Sequence, residues 1–214
     1  MKTLALIVLV AGCGSYSTYR STRIARPDHT EWLFGAQASG AIAEGEGQHK
    51  VAPLPEFAVA ARRAVHERVE LQANATLLPI KQAPTGSIEL AGKLRVGASG
   101  RWSLAVGAGA GYRLAESGGA MIEGAFVSVP IIGGIDLGRH QLVFSIAGGY
   151  QRWYSSGARP VSVPFIGDSI GFLWQIGRNW ALLPEAGTAW TSTKNFMTDD
   201  SRLFHVGIAA LWTH

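Results

Sequence analysis

Few groups in this 214-residue chain could do chemistry. There is one cysteine, Cys13, and there are six histidines: His29, His49, His66, His140, His205 and His214. No two histidines stand at metal-ligand spacing and no second thiol is present, so no metal site is expected. A Gly-x-Ser-x-Gly nucleophile turn is absent. The run Gly107-Ala108-Gly109-Ala110-Gly111 lacks the following helix that a phosphate-binding loop needs. Close packing of neighbouring strands explains those glycines better. No residue is nominated as catalytic, and no cofactor is implied.

The remaining reactive group is the Cys13 thiol. It closes the stretch Leu9-Val10-Ala11-Gly12-Cys13, behind a charged Lys2 and an apolar run from Leu4 to Ala11. That run is far shorter than the ~20 residues of a membrane-spanning helix and has the length of a signal-peptide core. The segment resembles a bacterial lipoprotein signal with its lipobox. The resemblance implies cleavage before Cys13, leaving residues 1–12 as the signal peptide, and acylation of Cys13. Gly14 follows where Asp would imply inner-membrane retention, so the resemblance favours the outer membrane.

Composition points the same way. Charged residues make up 16 %, against about 25 % in soluble globular chains. Glycine is 27 of 214 residues, yet 47 % of the chain is hydrophobic. Such a chain presents little surface to water and is not a disordered Gly-rich polymer. The net charge of +4 is modest. No run of lysine and arginine with interleaved aromatics occurs, which leaves nucleic acid without support as a partner. Residues 13–30 are rich in Ser, Thr, Tyr and Arg and read as a lipidated tether. Its Arg20, Arg23 and Arg26 fit either anionic lipid head groups or a solvated linker.

From Glu31 to the end, alternation with period two replaces any helical period. Val69, Leu71, Ala73, Ala75 and Leu77 alternate with Glu70, Gln72, Asn74 and Thr76. Phe204, Val206, Ile208, Ala210 and Trp212 form another apolar stripe. Ten strands are expected, at about 31–43, 51–61, 67–78, 87–97, 101–113, 120–135, 141–153, 160–174, 179–191 and 202–212, with eight as the alternative count. The second is the weakest, because Pro53 and Pro55 cannot donate ladder hydrogen bonds. Its following turn is expected at Arg62–His66.

Short and long connections alternate, as in membrane barrels with short periplasmic turns and longer outer loops. Trp32, Trp102, Trp174, Trp180 and Trp212 fall at strand ends on the short-turn side. Trp153, Trp190, Tyr112 and Tyr150 fall at the other. Residues 31–214 thus resemble the small outer-membrane barrels: an all-β, antiparallel, up-and-down transmembrane barrel. The last segment, His205 to Trp212, resembles the terminal strand read by barrel-assembly machinery, although the chain ends in Thr213-His214.

In such a barrel the polar face turns inward. The expected luminal residues are Glu70, Glu89, Lys93, Arg95, Glu123 and Glu185. Mixed charges in so narrow a lumen are expected to pair and plug it. A minor alternative is a narrow solute pore. Another sets His49 near Asp199 and Asp200, with His205 below, in a rim that resembles the outer-membrane proteases of the omptin class. Their second acidic pair is missing. The principal alternative is a lipid-tethered, lipocalin-like soluble periplasmic barrel with an apolar interior for a hydrophobic ligand. The favoured expectation is an outer-membrane lipoprotein with a structural, envelope-complex or surface-interaction role. Its partners would be membrane lipid and other envelope proteins.

Overall fold

The structure, a computed structural model, describes residues 19–43, 49–79, 84–117, 120–155, 159–191 and 201–214. These form ten strands: β1 (Thr30–Ala43), β2 (His49–His66), β3 (Val69–Leu78), β4 (Thr85–Ser99), β5 (Trp102–Ser117), β6 (Ala120–Leu137), β7 (His140–Ser155), β8 (Val161–Gln175), β9 (Trp180–Thr191) and β10 (Ser201–Thr213). Each pairs antiparallel with its chain neighbours. β1 also pairs with β10, Trp32 opposite Trp212 and Gly35 opposite Ala209, and this joint closes the barrel. Every expected strand is present.

β2 is longer than expected. It continues through Arg62 to His66, and the turn is Glu67-Arg68, not Arg62–His66. The prolines are accommodated locally. The register shifts between Ser39 and Ala41 of β1, opposite Pro53, and Pro55 pairs with Ala38. A bulge lets a strand carry a residue that cannot donate. The tight turns at Gly100 and Gly138 use φ of 59° and 71°. Glycine enters that left-handed region without steric cost, as two-residue hairpins require. β5 runs on past its expected end, so the connection to β6 shrinks to residues 118–119.

The two faces of the wall differ sharply. Ile88, Leu90, Val127, Ile146, Ile166, Ile170 and Val206 are each more than half exposed. Glu56, Arg62, Glu70, Gln72, Glu89, Lys93, Arg113, Gln141 and Glu185 are buried inside. This is the pattern for hydrocarbon outside, where every backbone amide must find its partner within a closed sheet. The lipocalin-like alternative required the reverse, and the polar lumen overturns it. Trp102, Trp174 and Trp180 lie exposed on the short-turn rim, with Trp212 stacked on Trp180 at 6.2 Å. Trp153 departs from its expected place in the outer belt. It shares the inward face with Gln151 and packs beside Gly124 and Arg113.

Candidate functional site

The lumen is occupied by the chain's own N-terminal segment. Tyr19, Arg20, Ser21, Thr22 and Ala25 are 3 % exposed or less. The described part of the expected tether is therefore an inserted plug. It does not sit against lipid head groups and is not solvated over these residues. The physical reason lies in the wall. A polar lumen offers a Ser, Thr and Arg segment the partners that water would otherwise supply.

The plug enters at the short-turn rim. There Arg26 donates to the Arg178 carbonyl (2.9 Å) and His29 Nδ1 lies 2.5 Å from the His214 carbonyl. Arg23 binds three carbonyls around one turn: Gly138 (3.1 Å), Arg139 (2.6 Å) and His140 (2.7 Å). It also pairs with Asp136 at 2.9 Å. Deeper in, the Ala25 amide donates to Glu70 Oε2 at 2.7 Å. Lys93 Nζ donates to the carbonyls of Ser21 (2.9 Å) and Arg23 (2.7 Å) while pairing with Glu70 at 3.0 Å. Thr22 meets Ser103 (2.6 Å) and its amide donates to Gln141 (3.3 Å). Arg20 pairs with Glu89 at 3.1 Å, and Ser128 donates to that same carboxylate.

Tyr19 tops the described segment. Its hydroxyl donates to the Ala36 carbonyl at 3.1 Å. Its ring joins an apolar cluster of Leu33, Ala60, Leu183 and Leu211. Two glycines make its niche. A Cβ at Gly35 would fall 2.7 Å from the ring, and one at Gly207 would strike the hydroxyl.

Beyond the plug the lumen holds further polar groups. Gln37 donates to Glu56 (2.5 Å), Arg113 donates to Gln151 (3.3 Å), and His205 pairs with Glu185 at 3.4 Å. The Arg113 guanidinium also lies 5.1 Å over Phe126 and 5.9 Å over Trp153. A salt bridge of 2.6 Å joins Arg62 to Glu31.

Of the expected luminal residues, Glu70, Glu89, Lys93 and Glu185 are inside and buried. Arg95 lies on the inward register near the Arg68 turn, half-buried. Glu123 is a correction: it is exposed on the outward face, where the Tyr112 hydroxyl donates to it. The inward face of β6 is Gly124, Phe126, Ser128, Pro130 and Ile132, so polarity does not mark the faces of that strand. Sequence reasoning passed over Glu56, Arg62, Arg113, Gln141, Gln151 and the plug itself. The signal for the wall residues was the same period-two face. For the plug the sequence carried no signal that separates it from a solvated tether: of its three arginines Arg20 is buried against Glu89, whereas Arg26 is exposed at the rim. Cys13, Asp199 and Asp200, and the side chain of His49, lie outside what is described. His205 is in the wall, against Glu185. Among the described residues no group of acids, histidines or cysteines could hold a metal ion.

A closed, polar-cored, ten-stranded wall with an apolar exterior defines the outer-membrane type of β-barrel. Solved structures agree. The chain is similar to an outer membrane channel from Pseudomonas putida F1, with a TM-score of 0.57 at 10 % identity over 92 % of this chain and 98 % of that one. It is also similar to the outer membrane protease OmpT from Escherichia coli, with a TM-score of 0.54 at 6 % identity over 89 % of this chain and 98 % of that one. At these identities the likeness is one of fold. No family profile and no curated protein matches the chain in sequence.

Proposed function

We propose that the chain is an outer-membrane lipoprotein, acylated at Cys13, whose barrel is held shut by its own N-terminal segment. It serves as a membrane-fixed structural or interaction module: an anchor, a subunit of an envelope complex, or a surface contact through its outer loops. The observation that carries this reading is the plug, pinned at mid-lumen by Arg20–Glu89 and the Lys93–Glu70 clamp. A solute path would have to break those buried pairs. The reading assigns no catalytic step and no cofactor.

Two measurements test it. In planar bilayers the full-length protein should insert without a steady current, and a steady ohmic pore would overturn the closed-barrel reading. In cells, labelled palmitate should enter the wild type and not Cys13→Ser, while both stay in the membrane fraction. Equal labelling of the two would remove the lipoprotein assignment.

A further inference from the structure

Each tight turn on the rim where the plug enters carries an arginine: Arg68, Arg101, Arg139 and Arg178. All four are exposed. No hydrogen bond or ion pair to a described residue engages the guanidinium groups of Arg101, Arg139 and Arg178. Arg68 has only a loose 3.9 Å approach to Glu67, with both side chains mostly exposed. Arg26 and Arg63 are exposed at the same end; among the described residues the exposed carboxylate side chains there are Asp28, Glu67 and, at 39 %, Asp136, which is already paired with Arg23. A folded rim gains nothing internally from such a charge. It fits an anionic surface outside the molecule.

The height of the ring says which surface. Trp102 follows Arg101 directly, and Trp180 stands two residues past Arg178. Trp212 stacks on Trp180 and pairs across the joint with Trp32. Exposed tryptophans of this kind settle at the boundary of hydrocarbon and head groups. Arginines one or two residues beyond them stand at the level of lipid phosphates, which a guanidinium grips with paired hydrogen bonds.

One place in the ring is shaped for a whole lipid. Arg63 sits opposite Thr30, two residues beyond the Trp32–Ala61 pair. It opens a groove of about 660 Å³ on the outer wall, lined by Ala61, Ala73, Leu90, Ala108 and Ala110. The small alanines hollow the surface where neighbouring strands carry Leu and Ile. The trough is apolar along its length and cationic at its foot.

We infer that this rim is a binding surface for anionic phospholipids of the adjoining leaflet. The turn arginines hold head-group phosphates, and one lipid seats with its phosphate on Arg63 and an acyl chain in the alanine trough. The inference rests on the membrane-barrel fold and is independent of whether the plug seals the lumen or Cys13 is acylated.

Native mass spectrometry of the full-length protein, given equal phosphatidylglycerol and phosphatidylethanolamine, tests it. The wild type should retain phosphatidylglycerol at least tenfold better. Each cation near an anionic surface shifts partition by roughly fivefold, so the R68Q/R101Q/R139Q/R178Q variant should lose that preference. Arg63→Gln alone should release the most slowly exchanging lipid. Heat-modifiable gel mobility reports that each variant is folded. Should the fourfold variant fail to fold, the wild type still decides: about 0.5 M NaCl, where screening acts within a few ångströms, should erase the preference. Equal retention of the two lipids by the wild type, or an unchanged preference in a folded variant, overturns the inference. So does capture of purified peptidoglycan by the rim without any lipid preference, which would assign the charge to an acidic polymer.

Discussion

Lys93→Met should loosen the plug more than any other single change in the wall. Its Nζ lies 3.0 Å from Glu70 and donates to the carbonyls of Ser21 and Arg23. Lys93 and Glu70 are 4 % and 2 % exposed, so water cannot replace what is lost. Two hydrogen bonds from a charged donor are worth about 1.5–3 kcal/mol each. Leaving one member of a buried pair uncompensated costs about 3–5 kcal/mol. The two figures describe overlapping losses, and the smaller total of about 3–5 kcal/mol is the one to expect. That is roughly a hundredfold or more in the equilibrium between docked and released plug. The assay is maleimide labelling of Ser21→Cys in a Cys13→Ser background, since Ser21 is fully buried. The probe should be protected in the parent and label at least a hundredfold faster with Lys93→Met. Adding Glu70→Gln should restore part of the protection, because glutamine still accepts from the Ala25 amide and strands no charge. Equal labelling of parent and Lys93→Met would refute the clamp. A double variant no better protected than the single would refute the charge argument.

Other outcomes follow from the same geometry. Gly207→Val should expel Tyr19, because a Cβ there meets its hydroxyl and the side chain of Gln37. The same labelling assay should show the release, and Tyr19→Ala should relieve only part of the clash, because Gln37 Cβ at 2.6 Å and the Ala36 carbonyl oxygen at 2.8 Å remain. Leu90→Arg places a charge on a residue 72 % exposed on the outer wall. Unfolding in lipid bilayers should show a loss of about 2–4 kcal/mol if that face meets the middle of the hydrocarbon. No loss would remove Leu90 from the membrane.

The strands and their two faces were legible because a wall with oil on one side and polar groups on the other must alternate strictly. Glu70, Glu89 and Lys93 stand out on that ground alone, each flanked by apolar neighbours. β6 was half legible. Its inward face mixes Phe126 and Ile132 with glycine, and so Glu123 was set on the wrong side. The turn after β2 was misplaced because Arg62 and His66 look like loop residues, although Arg62 is a buried partner of Glu31. The plug was not legible. A segment whose polar side chains bind a polar lumen has the composition of one whose side chains bind water. Only the matching of Arg20 and Arg23 to specific wall groups, and of the wall's Lys93 to plug carbonyls, distinguishes them, and that matching is tertiary.

The niche of Tyr19 has a consequence for biogenesis. Gly35 belongs to the first strand and Gly207 to the last, so the ring rests against the joint that closes the circle. An aromatic side chain cannot be passed through a finished wall whose amides are all paired. The N-terminal segment therefore either threads in along the barrel axis or lies inside while the sheet is still open, with the first and last strands zipping together over it. On the second route the plug is the core on which the final seam is laid. Once sealed, the only exit is along the barrel axis.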